Sequence, residues 1–256
     1  MKMKVNIYDI EGNVKSQINL PKAFDYPFRP DIIKKVIHAF QSNSRQPYGT
    51  SPTAGLRRVG HNWGPNHGRA RVMRRPDGDR GVIMNNTVGG RTAFAPTTKR
   101  VWYRKINKKE KLLSKLSALS VTANKDMVKN RGHIFKEELT LPVVIDNALE
   151  NIEKIEDAIK FIEKLGLDGD INRAKNGTKV RAGKGKVRGR KYYTPKSFLI
   201  VVKNKEKVQR SFKNLPGVEI ITPNEINTEI LAPGANPGRL TVFSENAIEE
   251  IRGWII

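Results

Sequence analysis

The sequence predicts an α/β fold, with a mostly parallel sheet flanked by helices and a long irregular basic arm inserted in the body. Short apolar runs at residues 141–145 (LPVVI) and 197–202 (SFLIVV) have the length and composition of buried strands. These runs alternate with stretches whose apolar residues recur at helical spacing, which is typical of parallel strands joined by helices. Between residues 43 and 105 the periodicity stops, and a connection this long inside a compact domain usually has a function.

The N-terminal part is predicted to be a hairpin followed by a helix. Residues 5–20 alternate between apolar and polar positions around a turn at residues 11–13. Pro30 suits the first position of a helix, and apolar residues then recur at helical spacing as far as Phe40. A second helix is expected to begin near Lys108, after the interruption.

The C-terminal part supplies the rest of the body. Asp146 is predicted to cap a helix that ends at Gly166, where a glycine suits the C-cap. Its apolar stripe would be Leu149, Ile152, Ile155, Ile159, Ile162 and Leu165. A lysine-rich helix to Leu215, a strand at residues 218–222, a helix capped by Asn224, a strand at residues 240–243 and a helix capped by Ser244 follow.

Three regions result from this pattern. Residues 1–42 and 106–256 are predicted to form a globular α/β body. Residues 43–105, with thirteen lysines and arginines against two acids, are predicted to form an extended RNA-penetrating arm. Residues 173–191 form a second basic loop within the body, with nine lysines and arginines and no acid. Residues 146–170, in contrast, carry eight acids against three lysines, and we expect this acidic segment to face away from RNA because carboxylates repel phosphates.

The overall composition points to a polyanionic partner. The chain of 256 residues has 48 lysines and arginines against 25 acids, a net charge of +23 and a pI of about 10.2, which favours nucleic acid over a membrane. The absence of cysteine excludes disulfides, thiol catalysis and zinc fingers. No apolar run reaches 18 residues and the N-terminus is too polar for a signal peptide, so a cytoplasmic location is expected.

The arm has the composition of an RNA-binding segment. It carries thirteen basic residues, eleven of them arginine, against Asp77 and Asp79, with aromatic residues interleaved. The arginine guanidinium group can donate two parallel hydrogen bonds to a phosphate and can stack on bases. Aromatic rings also stack on bases. The RNA-binding residues predicted here are Arg57, Arg58, Trp63, His67, Arg69, Arg71, Arg74, Arg75, Arg80, Arg91, Lys99, Arg100 and Arg104, and in the second loop Lys184, Lys186, Arg188, Arg190 and Lys191.

The sequence offers little for catalysis or cofactors. Around Gly183-Lys184-Gly185, Thr178 replaces the first glycine of a phosphate loop and Arg188 replaces the third glycine of a dinucleotide fingerprint, so both motifs fail. His61 and His67 flank Trp63, but no nearby acid or cysteine completes a metal site. We therefore predict neither a metal, nor a cofactor, nor an enzyme, and interpret His133 as structural.

Three motifs together resemble the universal large-subunit ribosomal protein four family, in its archaeal type. They are Gly68-Arg69-Ala70-Arg71, Val88-Gly89-Gly90-Arg91 with Phe94-Ala95-Pro96, and Gly183-Lys184-Gly185-Lys186 with Arg188 and Arg190. The resemblance covers essentially the whole chain. Residues 54–57 and 63–64 are more similar to the archaeal and eukaryotic branch than to the bacterial one, and the chain lacks the long C-terminal extension usual in eukaryotes.

The resemblance implies a role in the ribosome. Family members bind large-subunit (23S-type) rRNA early in assembly, and their long arm reaches the wall of the peptide exit tunnel, where it forms a constriction with ribosomal protein number twenty-two. Because the arm must run out and back, its turning point is expected around residues 63–75. Two alternatives stay open at this point: a free regulatory RNA-binding protein and, less favoured, an α/β RNA-processing enzyme.

Overall fold

A computed structural model describes residues 3–55, 57, 60–85 and 87–254. The chain divides into two compact units. One consists of Met1–Phe40 and Lys105–Ile256, and the other of Gln41–Arg104. We call the first the body and the second the arm.

A six-stranded sheet forms the centre of the body. In chain order the strands are β1 (Lys4–Tyr8), β2 (Val14–Asn19), β3 (Val143–Ile145), β4 (Lys179–Val180), β5 (Tyr192–Tyr193), β6 (Leu199–Val201), β7 (Glu219–Ile221) and β8 (Thr241–Ser244). The order across the sheet is β2-β1-β3-β8-β6-β7. Within this six-stranded sheet β1 and β2 pair antiparallel, while the other four pairings are parallel. The predicted α/β class with a mostly parallel sheet is therefore confirmed. The short strands β4 and β5 form a separate hairpin.

Helices cover both faces of this sheet. They are α1 (Pro30–Asn43), α2 (Lys108–Val121), α3 (Lys125–Asn130), α4 (Ile155–Leu165), α5 (Asp168–Asn176), α6 (Glu206–Phe212), α7 (Thr228–Leu231) and α8 (Glu245–Arg252). Within the described ranges, no helix is both long and apolar enough to cross a lipid bilayer.

The alternation of side chains along the strands creates two cores. Val144, Leu199 and Phe243 belong to a cluster with residues of α1, α2 and α8. Their neighbours Val143 and Ile200 belong to the opposite cluster, which α4 and α6 cover. Because successive strand residues point to opposite faces, a run such as Leu199–Val201 is apolar throughout. Each fully buried side chain of this kind stabilises the fold by about 1.5–3 kcal/mol.

Two helix ends follow the predicted capping. Gly166 ends α4 in the left-handed conformation, with φ of 72°. The Ser244 hydroxyl accepts a hydrogen bond from the Ala247 amide at 3.2 Å and so begins α8. Both capping predictions are confirmed.

The continuous helix predicted from Asp146 to Gly166 is wrong. Asp146 caps only a 3₁₀ turn at Asn147–Asn151, and the extended backbone of Ile152 separates this turn from α4. The break changes the helical phase, because α4 starts afresh at Ile155. As a result Ile155 and Ile159 are 40% and 42% exposed, while Ala158 and Phe161 occupy the inward positions.

The helix predicted from Asn224 to Leu231 is also split in two. Thr222 and Glu225 form a capping box around a 3₁₀ turn at Pro223–Glu225. The Asn227 side chain then accepts a hydrogen bond from the Ile230 amide at 2.9 Å and begins the short helix α7. The cap is thus Asn227 and not Asn224.

Candidate nucleic-acid interface

Hydrogen bonds between its outgoing and returning limbs hold the arm together. Asn43 accepts a bond from the Arg104 amide at 2.7 Å and donates one to the Arg104 carbonyl at 3.3 Å. The Ser42 hydroxyl donates to the Trp102 carbonyl at 2.7 Å. Further along, the Thr50 amide donates to the Pro96 carbonyl at 3.0 Å. The two limbs therefore lie side by side as a narrow backbone scaffold.

Glycines allow the limbs of the arm to approach so closely. A Cβ atom at Gly49 would lie 2.8 Å from the Pro96 carbonyl oxygen. A Cβ atom at Gly60 would lie 2.6 Å from a methyl group of Val82 and 3.0 Å from the Arg74 carbonyl oxygen. Such distances are shorter than real Cβ contacts, so these positions require glycine for steric reasons.

Three backbone segments meet in the distal part of the arm. His61 and Arg74 exchange two backbone hydrogen bonds of 3.0 Å each, and the Val82 amide donates to the Met73 carbonyl at 2.8 Å. Val82 is the apolar centre of this region, with 5% of its surface exposed. The chain therefore reverses direction twice between residues 61 and 81, a region that overlaps the turning point expected at residues 63–75.

Aromatic rings and guanidinium groups are already stacked within the arm. Near its base, the Trp102 ring lies 4.1 Å from the Arg45 guanidinium and 4.4 Å from that of Arg100, and Tyr48 stacks on it at 5.7 Å. Sequence reasoning included Arg100 among the binding residues but missed Arg45 and Trp102 as its partners. Arg45 and Tyr48 lie far from Trp102 in sequence, so only the close pairing of the limbs reveals their contacts with its ring.

The distal cluster centres on Trp63. The Arg69 and Arg74 guanidinium groups lie 5.7 and 5.6 Å from its ring centre, and His67 contacts it edge-on at 6.0 Å. Arg69 forms an ion pair with Asp79, and Arg74 donates hydrogen bonds to the Asp79 and Ala70 carbonyls. Four predicted RNA-binding residues, including both arginines, are thus brought together, but Arg69 and Arg74 also stabilise the arm itself.

The other predicted cations of the arm are mostly exposed. In the described part of the arm, no carboxylate lies within ion-pair distance of them. They are Arg57, Arg71, Arg75, Arg80, Lys99, Arg100 and Arg104. Arg91 differs from these residues because its side chain is half-buried. It packs closely against Gly55, where an added Cβ atom would lie 2.9 Å from the Cβ atom of Arg91. Arg58 lies outside the described residues.

The second basic loop projects from the body as a hairpin. The strands β4 and β5 pair, and the Arg181 amide donates to the Lys191 carbonyl at 2.9 Å. Between them lies a 3₁₀ turn, Lys184–Arg188, which ends at the left-handed Gly189. All five predicted cations here are exposed, and none has a carboxylate partner among the described residues: Lys184, Lys186, Arg188, Arg190 and Lys191.

The start of the predicted loop, residues 173–176, lies in α5 and has a different role. The Arg173 Nε atom donates to Asp170 at 2.9 Å, and its Nη2 atom donates to the Lys196 carbonyl at 2.8 Å. Asp170 is completely buried, and it also accepts hydrogen bonds from His133 at 3.0 Å and from the Ser197 hydroxyl at 2.6 Å. This network joins α5 to the segment that enters β6.

The pKa values in this network follow from its burial and its hydrogen bonds. Burial by itself would raise the pKa of Asp170, but the hydrogen bonds and charges of its partners outweigh that effect and lower it to about 2. Burial lowers the pKa of His133, although its hydrogen bond with Asp170 opposes this. His133 therefore acts as a neutral donor near pH 7, which supports its interpretation as a structural residue.

The acids of residues 146–170 are partly engaged within the body. Glu150 accepts hydrogen bonds from the Ser244 hydroxyl at 2.8 Å and from the Lys203 amide at 3.0 Å. Glu153 forms an ion pair with Lys207 at 3.0 Å. With Asp170 buried, fewer carboxylates remain at the surface of this segment than its composition indicates.

An α/β body combined with exposed, unneutralised cations and stacked aromatic rings is typical of nucleic-acid-binding proteins. The sequence pattern described as "Ribosomal protein L4/L1 family" matches residues 18–254. The chain belongs to this family. The family is a structural rather than an enzymatic kind, which agrees with the unsuitability of the glycine-rich motifs for cofactor phosphates.

Several archaeal proteins are similar to this chain over almost their whole length. The large ribosomal subunit protein uL4 of Thermoplasma acidophilum is 46% identical over 252 residues, covering 98% of both chains. The protein of the same name from Archaeoglobus fulgidus is 44% identical, covering 99% of this chain and 100% of its own. That of Methanocaldococcus jannaschii is 42% identical, covering 98% of both. The resemblance and its archaeal type are therefore confirmed.

Proposed function

We propose that this protein is a constituent of the large ribosomal subunit that binds the large-subunit rRNA early in assembly in the cytoplasm. Its arm penetrates the folded RNA and reaches the wall of the peptide exit tunnel, where it adjoins ribosomal protein number twenty-two. The observation that carries this proposal is the set of exposed cations on the arm and the second loop, which have no carboxylate partners among the described residues.

The charge argument favours a rigid polyanion. In the body, Arg173 is paired with the buried acid Asp170. Several arginines held on a narrow scaffold without such pairing repel one another, and phosphate groups relieve this repulsion. Folded rRNA supplies phosphates at high density on more than one side of an inserted arm.

The stacked rings support recognition of RNA in particular. Tyr48 and Trp63 are held by neighbouring guanidinium groups, so less side-chain freedom is lost when a base stacks on them. Single-stranded loops and bulges of RNA present unstacked bases for such contacts. The narrow limbs, whose approach depends on Gly49 and Gly60, allow the arm to enter between RNA helices.

The enzymatic alternative finds little support at the sheet edge where α/β enzymes usually bind ligands. After β6 the chain continues with Lys203, whose amide binds Glu150. At the end of β8, Ser244 caps α8 and donates to the same Glu150 carboxylate. These groups are therefore engaged in structural contacts. The regulatory alternative would use the same RNA-binding surface and must be separated by experiment.

Co-sedimentation with ribosomal subunits tests the proposal directly. A tagged chain expressed in an archaeal host should travel with the large subunit through a sucrose gradient at high salt. A variant with Lys184, Lys186, Arg188 and Arg190 changed to glutamine should be incorporated less well. Recovery of the wild-type chain only at the top of the gradient, on a short RNA, would instead support a free regulatory protein.

A further inference from the structure

A cleft in the body lies beside the second basic loop. It has a volume of about 770 Å³ and is bordered by the end of α3, by α5, by the segment after β5 and by the turn at residues 233–237. Arg131, Arg173 and Lys196 line it, together with Tyr193. These three are the lysines and arginines among its thirteen lining residues, and the cleft belongs to no motif that the sequence revealed.

The charges around this cleft do not balance. Four cations lie at the cleft: Arg131, Arg173 and Lys196 line it, and Arg239 is fully buried behind this lining. They have two carboxylates near them, those of Asp170 and Glu219. Asp170 is engaged by Arg173 and by His133. Glu219 is engaged by Lys196 and Arg239. Arg131 has no ion-pair partner among the described residues, so the cleft keeps an excess of positive charge.

Arg131 is anchored by one hydrogen bond and has no ion-pair partner among the described residues. Its Nη2 atom donates to the Pro233 carbonyl at 3.1 Å. Its Nη1 atom is buried and has no acceptor in the described part of the chain. Burial and the charges of Arg239 and Arg173 lower the pKa of Arg131 to about 10, so the group still carries its charge at pH 7. A desolvated charge of this kind attracts an anion more strongly than an exposed lysine does.

The cleft is continuous with the second basic loop. Tyr193 lines the cleft and belongs to β5, which pairs with β4. The Arg181 guanidinium lies 5.5 Å from the Tyr193 ring, and residues 184–191 follow in the same hairpin. A single extended polyanion could therefore contact the exposed cations of the hairpin and the cleft.

We propose that this cleft holds a backbone phosphate of the RNA strand that runs along the second basic loop. The inference rests on the proposed function, because it assumes that the loop binds RNA. Arg173 and Lys196 contact the phosphate and keep their bonds to Asp170 and Glu219, because the Arg173 Nη1 group and the other Lys196 ammonium protons have no hydrogen-bond acceptor among the described residues. Arg131 adds a fixed positive charge at the wall. A phosphodiester suits an open cleft because it is a single anionic group within a chain that continues in both directions.

The test is the variant Arg131→Met, which removes the uncompensated charge and keeps a similar apolar stem. Binding to a transcript of the large-subunit rRNA should weaken about tenfold, as expected when one charge-assisted interaction is removed. The slope of log K against log salt should become shallower by about 0.7–0.9. The melting temperature of the free variant should stay the same or rise, because an unpaired buried charge has been removed.

The matched control is Lys160→Met, which removes the same charge from the exposed surface of α4. Its RNA affinity should change less than twofold. If Arg131→Met lowers the melting temperature, the charge-removing variant Arg131→Gln replaces it, with phosphate-ethylation interference as the readout. A phosphate whose ethylation weakens binding of the wild type but not of Arg131→Gln supports the inference.

Other outcomes overturn the inference and identify its source of error. If Arg131→Met binds RNA as the wild type does while the fourfold loop variant is impaired, the cleft is not an RNA site although the proposed function stands. If in addition inorganic phosphate raises the melting temperature of only the wild type at constant ionic strength, the cleft binds a free anion. If RNA binding is unchanged but incorporation into the large subunit is abolished, the occupant is a protein carboxylate. If neither the loop variant nor salt affects RNA binding, the proposed function itself fails.

Discussion

The network around Asp170 and Glu219 in the body and the described part of the arm use arginine in different ways. In the body, Arg173 and Arg239 are paired with Asp170 and Glu219 and join elements of the fold. In the described part of the arm, the single ion pair is that of Arg69 with Asp79, and most other arginines are exposed. The difference follows the local supply of carboxylates, which decides whether an arginine forms an ion pair within the protein.

Removal of the buried carboxylate of Asp170 should cause the largest loss of stability in the body. Asp170→Asn leaves Arg173 and His133 without their anion in a buried site, so we expect a loss of about 3–5 kcal/mol in the free energy of unfolding. Urea denaturation measures this loss. Asp168→Asn, on the exposed first turn of the same helix, should cost less than about 1 kcal/mol. Equal effects of the two changes would contradict the role of Asp170.

The pH dependence of stability should show the same network. The pKa of Asp170 is about 2 in the folded protein against a usual value of 3.8, so its contribution is present above about pH 4 and is lost as the pH falls towards 2. The difference corresponds to about 2 kcal/mol. Because the pKa of His133 is lowered on folding, stability should already decline below about pH 6.5, where the unfolded chain binds the proton more readily.

The measurement is urea denaturation of the wild type and of Asp170→Asn between pH 3 and 8. The variant should lose most of the decline below pH 4. A parallel decline in both proteins would mean that other carboxylates dominate acid unfolding.

Deletion of residues 62–75 tests whether the arm contributes to the stability of the body. The deletion removes the Trp63 cluster and the middle segment, but leaves the limb contacts of Asn43 and Thr50. We expect the shortened protein to bind large subunits and to unfold in urea like the wild type. The passage of nascent chains or the access of tunnel-binding drugs should change. Loss of subunit binding would make the arm the main anchor, whereas no change in either property would contradict the position proposed for the tip.

The smallest effect is expected on the outer face of α4. Ile159→Gln should change the free energy of unfolding by less than about 0.5 kcal/mol, because Ile159 is 42% exposed. Ile162→Ala, three residues later and buried in the core, should cost about 2–5 kcal/mol. Thermal or urea denaturation measures both. A large loss of stability in Ile159→Gln would contradict the exposed position of Ile159. It would support the uninterrupted helix predicted from the sequence.

The sequence predicted the parts of this fold that depend on local patterns. The apolar runs of β6 and β8 and the caps at Gly166 and Ser244 each carry their signal within a few residues. The break before α4 was missed because apolar residues continue at helical spacing through it. The hairpin of β4 and β5 was missed because each strand has two residues, too few for a periodic pattern.

The sequence predicted which segments of the candidate site are basic or acidic, but not which side chains contact one another. Asp170 and Arg173 were assigned to an acidic segment and to a basic loop, although their spacing of three residues on a helix was a signal for their pairing. The burial of Arg239 has no such local signal, because its partners come from β7, from α7 and from Ser197 before β6. In the arm, backbone contacts between the limbs decide which cations stack on Trp63 and Trp102.

The salt dependence of RNA binding measures whether the unpaired cations of the arm neutralise phosphates. We predict that the affinity of the wild type for large-subunit rRNA falls on the order of 10³–10⁵-fold between 50 and 200 mM salt, as for neutralisation of six to ten phosphates. Changing the exposed Arg71, Arg75 and Arg80 to glutamine should make the log–log slope shallower by about 0.7–0.9 for each phosphate that the variant no longer neutralises, without changing the stability of the free protein. A flat salt response, or a slope that these replacements leave unchanged, would contradict the claim that the unpaired charges of the arm are ligands for RNA.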